Sequence, residues 1–364
     1  ESLERSYFDE RVFPGLLPNL RALEQQGFSF TNISQPEGTG WIIAGMVATQ
    51  CGTPLIISGG QNSMAGLDQF LPGVVCLGDI LKEQGYQLEY YGGAEIDFAG
   101  KGDFYRSHGF QKVSGAEVLL GQADDPQYRN PWGLFDDVLF DLVLTRIQEL
   151  LTQPDPFALG LLTLDTHGPR GHMSRFCGDM KYLDGSNEML SAVHCSDALV
   201  AKFVKDILAA DPTGNTVVVV ASDHLALPND ASSLLEQTER RNLGFALGAG
   251  VSGSSGQEAT PFDLAPTLLE LLGTNVPAMG FGRNLLANPS AAPVSQELIE
   301  SAISEHRGYF RKLWQFPTIA EQISFDVGKQ KVKLASDQTF DFPGLFLLDE
   351  SINIQDALFR RYAP

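Results

Sequence analysis

Three short stretches of this chain carry residue types that do chemistry. "TLDTHG" sets Asp165 and His167 at the end of an apolar run, and "VVVVASDH" does the same for Asp223 and His224. "EGTGWII" puts Thr39 between two glycines, directly ahead of another apolar run. An Asp–His pair at the end of a buried strand is costly unless something binds it. A metal ion satisfies both, because carboxylate and imidazole are compatible ligands. The alternative is an Asp helix cap beside a surface His. His167 suits a phosphate-binding or acid–base imidazole, against a loop histidine satisfied by backbone. His172 stands near enough in sequence to line the same site. His108, His194 and His306 fall in helical or loop contexts, and His194 and His306 read as structural.

Thr39 has two readings. A hydroxyl at a helix N-terminus can cap the helix. The same place offers free N–H groups and a partial positive charge, which favour a bound phosphate and an ionised hydroxyl. Flanking glycines let the backbone approach a substrate closely, and a metal bound to the hydroxyl would make it a nucleophile. A lone "GTG" favours the cap. Together with Asp223, His224 and Glu1, the nucleophile reading is preferred.

These residues need a scaffold that brings strand ends together. Helical apolar spacing over 16–27 stops at Gly27, and "FSFTNIS" then reads as a strand. "WIIAGMVATQ" and "LGDILKEQG" read as helices, followed by the strand "YQLEYYGG". Long helices are expected over 133–151 and 189–210, strands over 157–168, 216–224 and 241–250, and a helix over 260–273 with Pro near its start and Gly after it. Such alternation predicts an α/β fold: a mostly parallel central sheet with helices on both faces. Ligands bind at the C-terminal strand ends of such sheets, where the three stretches lie. The Pro-, Gly- and Asn-rich stretch 275–293 reads as a loop or boundary. Two domains are expected: 1–288, catalytic, its first strand lying ahead of Glu1, and 289–364, a small α+β appendage with a helix and a β-hairpin over 323–340.

The chain has 364 residues and a formal net charge of −20. That charge excludes a nucleic-acid partner, which needs a basic surface. It also argues against general adsorption to anionic lipid. No apolar run approaches the roughly 18 residues of a membrane span, and no signal peptide is visible. The abrupt start at "ESLERSYFDE" reads as a fragment or a released domain. Four cysteines, with no CxxC pair, make a zinc–thiolate site a poor fit. Pairing by proximity joins Cys51 with Cys76 and Cys177 with Cys195; four buried free thiols remain the alternative.

The constellation of "ESLE", a Thr opening a helix, a late "SDH" and "PFDLAPTLLELLG" resembles the alkaline phosphatase and sulfatase superfamily, and within it the lipoteichoic acid synthase branch. Residues 1–55 are most similar to the periplasmic phosphoglycerol transferases that decorate osmoregulated periplasmic glucans. The resemblance runs to about Gly273. It implies one divalent metal, Mn2+ first with Mg2+ or Zn2+ as alternatives, held by Glu1, Thr39, Asp223 and His224. It implies Thr39 as nucleophile and His167 as a catalytic and head-group-binding imidazole. It places Lys101 where the family carries a basic phosphate-binding residue, although here Lys replaces Arg and no Trp stands beside it. Trp41, Asp165 and His172 are expected to line the substrate. "TGWII" lacks the C/S-x-P-x-R motif that sulfatases mature, so formylglycine chemistry is excluded. The implied reaction moves phosphoglycerol from phosphatidylglycerol to periplasmic glucan through a covalent Thr39 intermediate and releases diacylglycerol. The resemblance also implies a periplasmic location, a membrane anchor in a segment ahead of Glu1, and both disulfides. A phosphoethanolamine transferase or phosphodiesterase of the same superfamily, and a non-catalytic binding domain for glycan or lipid head group, are the alternatives.

Overall fold

The computed structural model describes residues 1–57, 64, 69–286 and 294–315, together with five strands further along the chain. Residues 287–293, part of the expected boundary loop, lie outside the described residues.

The elements follow the apolar pattern of the sequence. α1 (Pro18–Glu24) leads to β1 (Phe28–Phe30), and α2 (Ile42–Cys51) follows the Thr39 loop. Then come α3 (Leu77–Glu83), β2 (Gln87–Gly92), α4 (Lys101–Ser107), β3 (Lys112–Ser114) and the short α5 (Ala116–Leu119). A small hairpin, β4 (Arg129–Asn130) and β5 (Gly133–Leu134), precedes α6 (Asp136–Leu150) and β6 (Phe157–Leu162). α7 (Glu188–Ala210), β7 (Val217–Ala221), the short α8 (Ser232–Leu235), β8 (Gly244–Gly248), β9 (Gly253–Ser255) and α9 (Leu264–Leu271) come next. α10 (Gln296–Glu305) and α11 (Arg307–Lys312) follow.

Two sheets carry the strand ends. One, in the order β3-β2-β6, is parallel throughout. The other, in the order β7-β8-β1-β9, has β1 parallel to β9 and β8 antiparallel to both its neighbours. The reversal of β8 has a local cause. A parallel return needs a crossover, usually a helix, and the connection from β7 to β8 holds only the single turn of α8. The fold is thus the expected α/β layering with one strand reversed.

Helices cover both faces. α1, α6 and α7 pack Leu20, Leu23, Phe140, Val143, Val200 and Phe203 onto one side, with Phe140 and Phe203 stacked at 4.2 Å between ring centroids. On the other side α2 and α4 bring Ile43, Val47, Phe104 and Tyr105 against Tyr90 and Leu162. α2 is apolar nearly all round, and Ile43 to Ala48 are all buried, as such a helix requires. Both expected disulfides are present. Cys51, the last residue of α2, joins Cys76 at the start of α3, and Cys177 joins Cys195 within α7.

Among the described residues β6 pairs only with β2, and β7 only with β8. Each keeps an open edge. Both strands are apolar, yet most of their residues are only half-buried, unlike the fully covered central strands of parallel sheets.

The chain divides into two compact units, Glu1–Trp314 and Gln315–Pro364. The first runs past residue 288, because Ile299, Ile303 and Phe310 of α10 and α11 share a core with Ile56 and Phe262. In the second, strands Ile323–Asp326, Lys331–Leu334 and Thr339–Asp341 form an antiparallel sheet, and Leu345–Leu348 pairs with Ile354–Leu358. The expected hairpin is there, extended by a third strand.

Candidate active site

Glu1, Asp223 and His224 are buried together, and one ligand atom from each lies within 4.8 Å of the others. His224 Nε2 stands 3.3 Å from Asp223 Oδ2 and 3.9 Å from Glu1 Oε1. The hydrogen bonding is lopsided in an informative way. Asp223 Oδ1 accepts from the backbone N–H groups of Ser2 and His224, each at 2.9 Å. Glu1 Oε1 accepts from the Ser2 hydroxyl at 2.6 Å. His224 Nδ1 faces the Leu225 carbonyl at 2.8 Å, so Nδ1 carries the proton and Nε2 offers a lone pair. What remains is Glu1 Oε2, Asp223 Oδ2 and His224 Nε2, all buried and without a hydrogen-bond partner. Buried polar atoms are nearly always satisfied, and two carboxylate oxygens with an imidazole lone pair make a donor set for a divalent cation. Burial, and then the neighbouring Asp223 charge, push the Glu1 carboxyl above its ordinary value. A bound cation would relieve that strain.

The scaffold that holds these groups comes from four segments. The backbone nitrogen of Glu1 donates to Thr163 Oγ1 at 2.9 Å, just past the end of β6, and the Thr166 hydroxyl donates to the Glu1 carbonyl. Glu4, fully buried, pairs with Arg240 and accepts from the Ala226 N–H at 2.8 Å, pinning the loop after His224. On the other side α2 presses against Asp223. A Cβ on Gly45 would stand 1.8 Å from the Asp223 carbonyl oxygen, so only glycine permits this approach.

Thr39 is fully buried, and its hydroxyl donates to the Pro36 carbonyl at 2.7 Å. It does not cap α2. The N-cap is Trp41, and no side chain caps that end. The bland reading of the hydroxyl therefore fails on geometry. The loop before it is tied to the loop after His224, because Gln35 Oε1 accepts from the Leu225 N–H at 2.6 Å. Trp41 itself is half-buried, packed against the cluster that holds Ile43 and Phe104.

Lys101, at the start of α4, is buried, and its ammonium lies 5.5 Å from the Phe98 ring centroid. Burial lowers its pKa, while Glu1, Glu117 and Asp223 pull the other way. Its side chain lies in the field of the acidic cluster. His167 Nδ1 faces the Gly168 carbonyl at 2.9 Å, which leaves Nε2 for a ligand. His172 is half-buried; burial, and then His167, lower its pKa. Its backbone N–H donates to the Asp165 carbonyl at 2.6 Å. Asp165 is 1% exposed, and its Oδ2 has no partner. Burial, and then Asp136, push its carboxyl well above the ordinary carboxylate range.

Four neighbours escaped sequence reasoning. Ser2 orients both carboxylates. Tyr90 lies within the field of Glu1 and Asp223 with a buried, unpartnered hydroxyl. Asp136 accepts from the N–H groups of Leu164 and Asp165. Trp132 packs on His167 at 4.2 Å between ring centroids. Only Trp132 had a local signal, the turn-like "RNPWG".

A family profile described as Sulfatase matches residues 1–274. The chain belongs to the Sulfatase family. Its relatives include phosphoglycerol transferase I of Xanthomonas euvesicatoria pv. vesicatoria (strain 85-10), 43% identical over 322 residues, which covers 86% of this chain and 46% of that protein. The chain spans about half the length of the curated relatives it matches. Among solved structures, the lipoteichoic acid synthase LtaP from Listeria monocytogenes aligns with a TM-score of 0.62 at 18% identity, over 75% of this chain and 70% of that one. The Streptococcus pyogenes phosphoglycerol transferase GacH, in complex with sn-glycerol-1-phosphate, aligns with a TM-score of 0.54 at 15% identity, over 86% and 83%. At such identities the likeness is one of fold. This Sulfatase family member carries a threonine ahead of α2 and, among its described residues, one acidic cluster with orphaned ligand atoms.

The cluster's donor set has a direct test. Calorimetric titration with Mn2+ should give one ion per chain, and Asp223→Asn or His224→Ala should weaken it by more than about tenfold, since even outer-shell changes cost that much. Equal affinity in both variants and the native chain would exclude this cluster as the ion's site.

Proposed function

We propose that this chain carries the catalytic domain of a metal-dependent phosphoglycerol transferase, with the activity housed in residues 1–288. The observation that carries this reading is the set of three orphaned, buried ligand atoms beside the Thr39 loop. The named activity of relatives at about 43% identity supports the choice of head group. The donor is phosphatidylglycerol, the acceptor a periplasmic glucan, the compartment the periplasm, and the cation Mn2+.

Glu1, Asp223 and His224 would hold the cation, and the Thr39 hydroxyl, which now donates to the Pro36 carbonyl, would join them. Once bound, the cation would supply Lewis-acid chemistry that lowers the hydroxyl pKa and offsets phosphoryl charge. Thr39 Oγ, its proton already released to solvent, attacks phosphorus in line as the bond to the diacylglycerol oxygen breaks, and it is freed as the same alkoxide in the second step. His167 Nε2 gives that oxygen its proton. Lys101 balances charge on the non-bridging oxygens. A glucan hydroxyl then passes its proton to His167, attacks the same phosphorus and frees Thr39.

The net charge of −20 sets the whole surface against an anionic bilayer. No helix among the described residues is long and apolar enough to cross a membrane. We therefore place the membrane tether in the part of the longer protein outside this chain. Among the described residues β6 and β7 each have one unpaired edge, and the Glu1 nitrogen bonds just past the end of β6. Residues ahead of Glu1 are the natural occupant. A form of the protein lengthened there by about ten residues, enough for one strand, should melt several degrees higher. An unchanged melting temperature would contradict this.

Thr39 decides the chemistry. Thr39→Ala should fold with a melting temperature near that of the native chain and release no diacylglycerol. Thr39→Ser should keep part of the activity. Intact-mass analysis with donor alone should show a phosphoglycerol adduct on the peptide containing Thr39. Turnover by Thr39→Ala at close to the native rate would overturn the nucleophile assignment.

A further inference from the structure

Trp132 is 46% exposed, at the turn of the β4–β5 hairpin, with its ring against His167. An exposed indole on a short hairpin is ordinarily mobile, but this one is built in. Asn130 Oδ1 accepts from the N–H groups of Trp132 and Gly133, at 2.9 and 3.1 Å. Asn130 Nδ2 reaches toward Asp165 Oδ1 at 3.5 Å, linking the hairpin to the strand end that carries His167. The Leu134 N–H donates to the Gly93 carbonyl at 2.8 Å. Gly133 has a φ of +151°, and a Cβ there would meet the Gly93 carbonyl oxygen at 2.0 Å, so the hairpin sits hard against the end of β2. The sequence spends a fixed turn, a buried Asn and a close backbone approach on holding one large ring half in water.

We propose that Trp132 is a stacking platform for a neutral sugar ring, the acceptor's pyranose, beside His167. This rests on the transferase reading above. The chemistry of the place selects the ligand class. A pyranose offers a C–H face to the indole and hydroxyls at its rim. An apolar face beside a few placed polar groups is the usual composition of a small-molecule site, and an indole orders little on binding because it has few rotatable bonds. A hydroxyl at the rim of a ring stacked on Trp132 stands next to the imidazole assigned to take its proton. The ring's surroundings are polar: Asn130, Asp165 and His172 belong to the same network, and Arg129 beside it is exposed. An acyl chain would meet little continuous apolar surface there. A neutral saccharide also escapes the repulsion that a chain of net charge −20 exerts on an anionic lipid surface.

The test measures a neutral β-linked gluco-oligosaccharide twice, once as a ligand by calorimetry and once as acceptor in transfer from phosphatidylglycerol in mixed micelles. Trp132→Ala should weaken saccharide binding and raise the acceptor KM by about tenfold, the scale of one lost stacking contact. Trp132→Phe, which keeps an aromatic face, should recover most of that loss. The acceptor KM should move more than the donor KM. Trp132-dependent saccharide binding without transfer would uphold the platform and fault the transferase reading. Diacylglycerol release with an acceptor KM untouched by Trp132→Ala would overturn the platform and spare the reading. A rise confined to the donor KM would assign the indole to lipid and overturn the proposal, as would no saccharide binding by the native chain.

Discussion

Two carboxylates and an imidazole are packed into one dry corner, and the rest of the structure is arranged to tolerate that. Glu1 and Asp223 would repel one another if both were charged and alone, and burial removes the water that could screen them. Each keeps one oxygen satisfied by local donors, largely from Ser2, and leaves one oxygen bare. A corner of this kind is stable only with a cation in it or with protons bound. The same corner explains why α2 begins where it does. Its Gly45 must lie against the Asp223 backbone, which carries the Thr39 loop to the ligands.

The surroundings extend this logic outward. Glu4, buried with Arg240, holds the loop after His224 from below. Asp136 anchors the strand end at Leu164 and Asp165 through two backbone N–H groups, and so sets the direction of the loop that bears His167. Asp165 sits beside Asp136 and Asn130, its carboxyl raised by burial and by Asp136. Lys101, desolvated beside the acidic groups, is the one basic side chain the reading assigns to the phosphate. A strongly acidic protein can thus present a local cationic site while its surface stays negative.

Much of this was legible along the chain, for physical reasons. "FALGLL" and "VVVVA" are continuous apolar runs of strand length, and the polar residues that end them fall at strand ends. Gly27, Gly85 and Gly273 marked helix stops, and the cysteine pairs followed proximity. The reversal of β8 was not legible, because it depends on how little helix the β7–β8 connection holds. A hydroxyl before an apolar run usually caps the helix, and only Asp223, His224 and Glu1 turned the reading of Thr39 toward a nucleophile; the helix begins two residues later than a Thr39 cap would require. The raised carboxyl of Asp165 was not legible, since it depends on burial and on Asp136, which is distant in sequence. Trp132 acquires its place from Asn130, Gly93 and His167, three contacts that no periodicity encodes. Glu1 stood out only as the residue at an expected strand end, and the resemblance alone gave it the role of a ligand.

The central claim is that Glu1, Asp223 and His224 share one divalent cation. Crystals grown with Mn2+ and measured at the manganese absorption edge test it most directly. The account expects a single strong anomalous peak between Glu1 Oε2, Asp223 Oδ2 and His224 Nε2, at coordination distance from all three. Anomalous density elsewhere in the molecule, with none at this cluster, would contradict it.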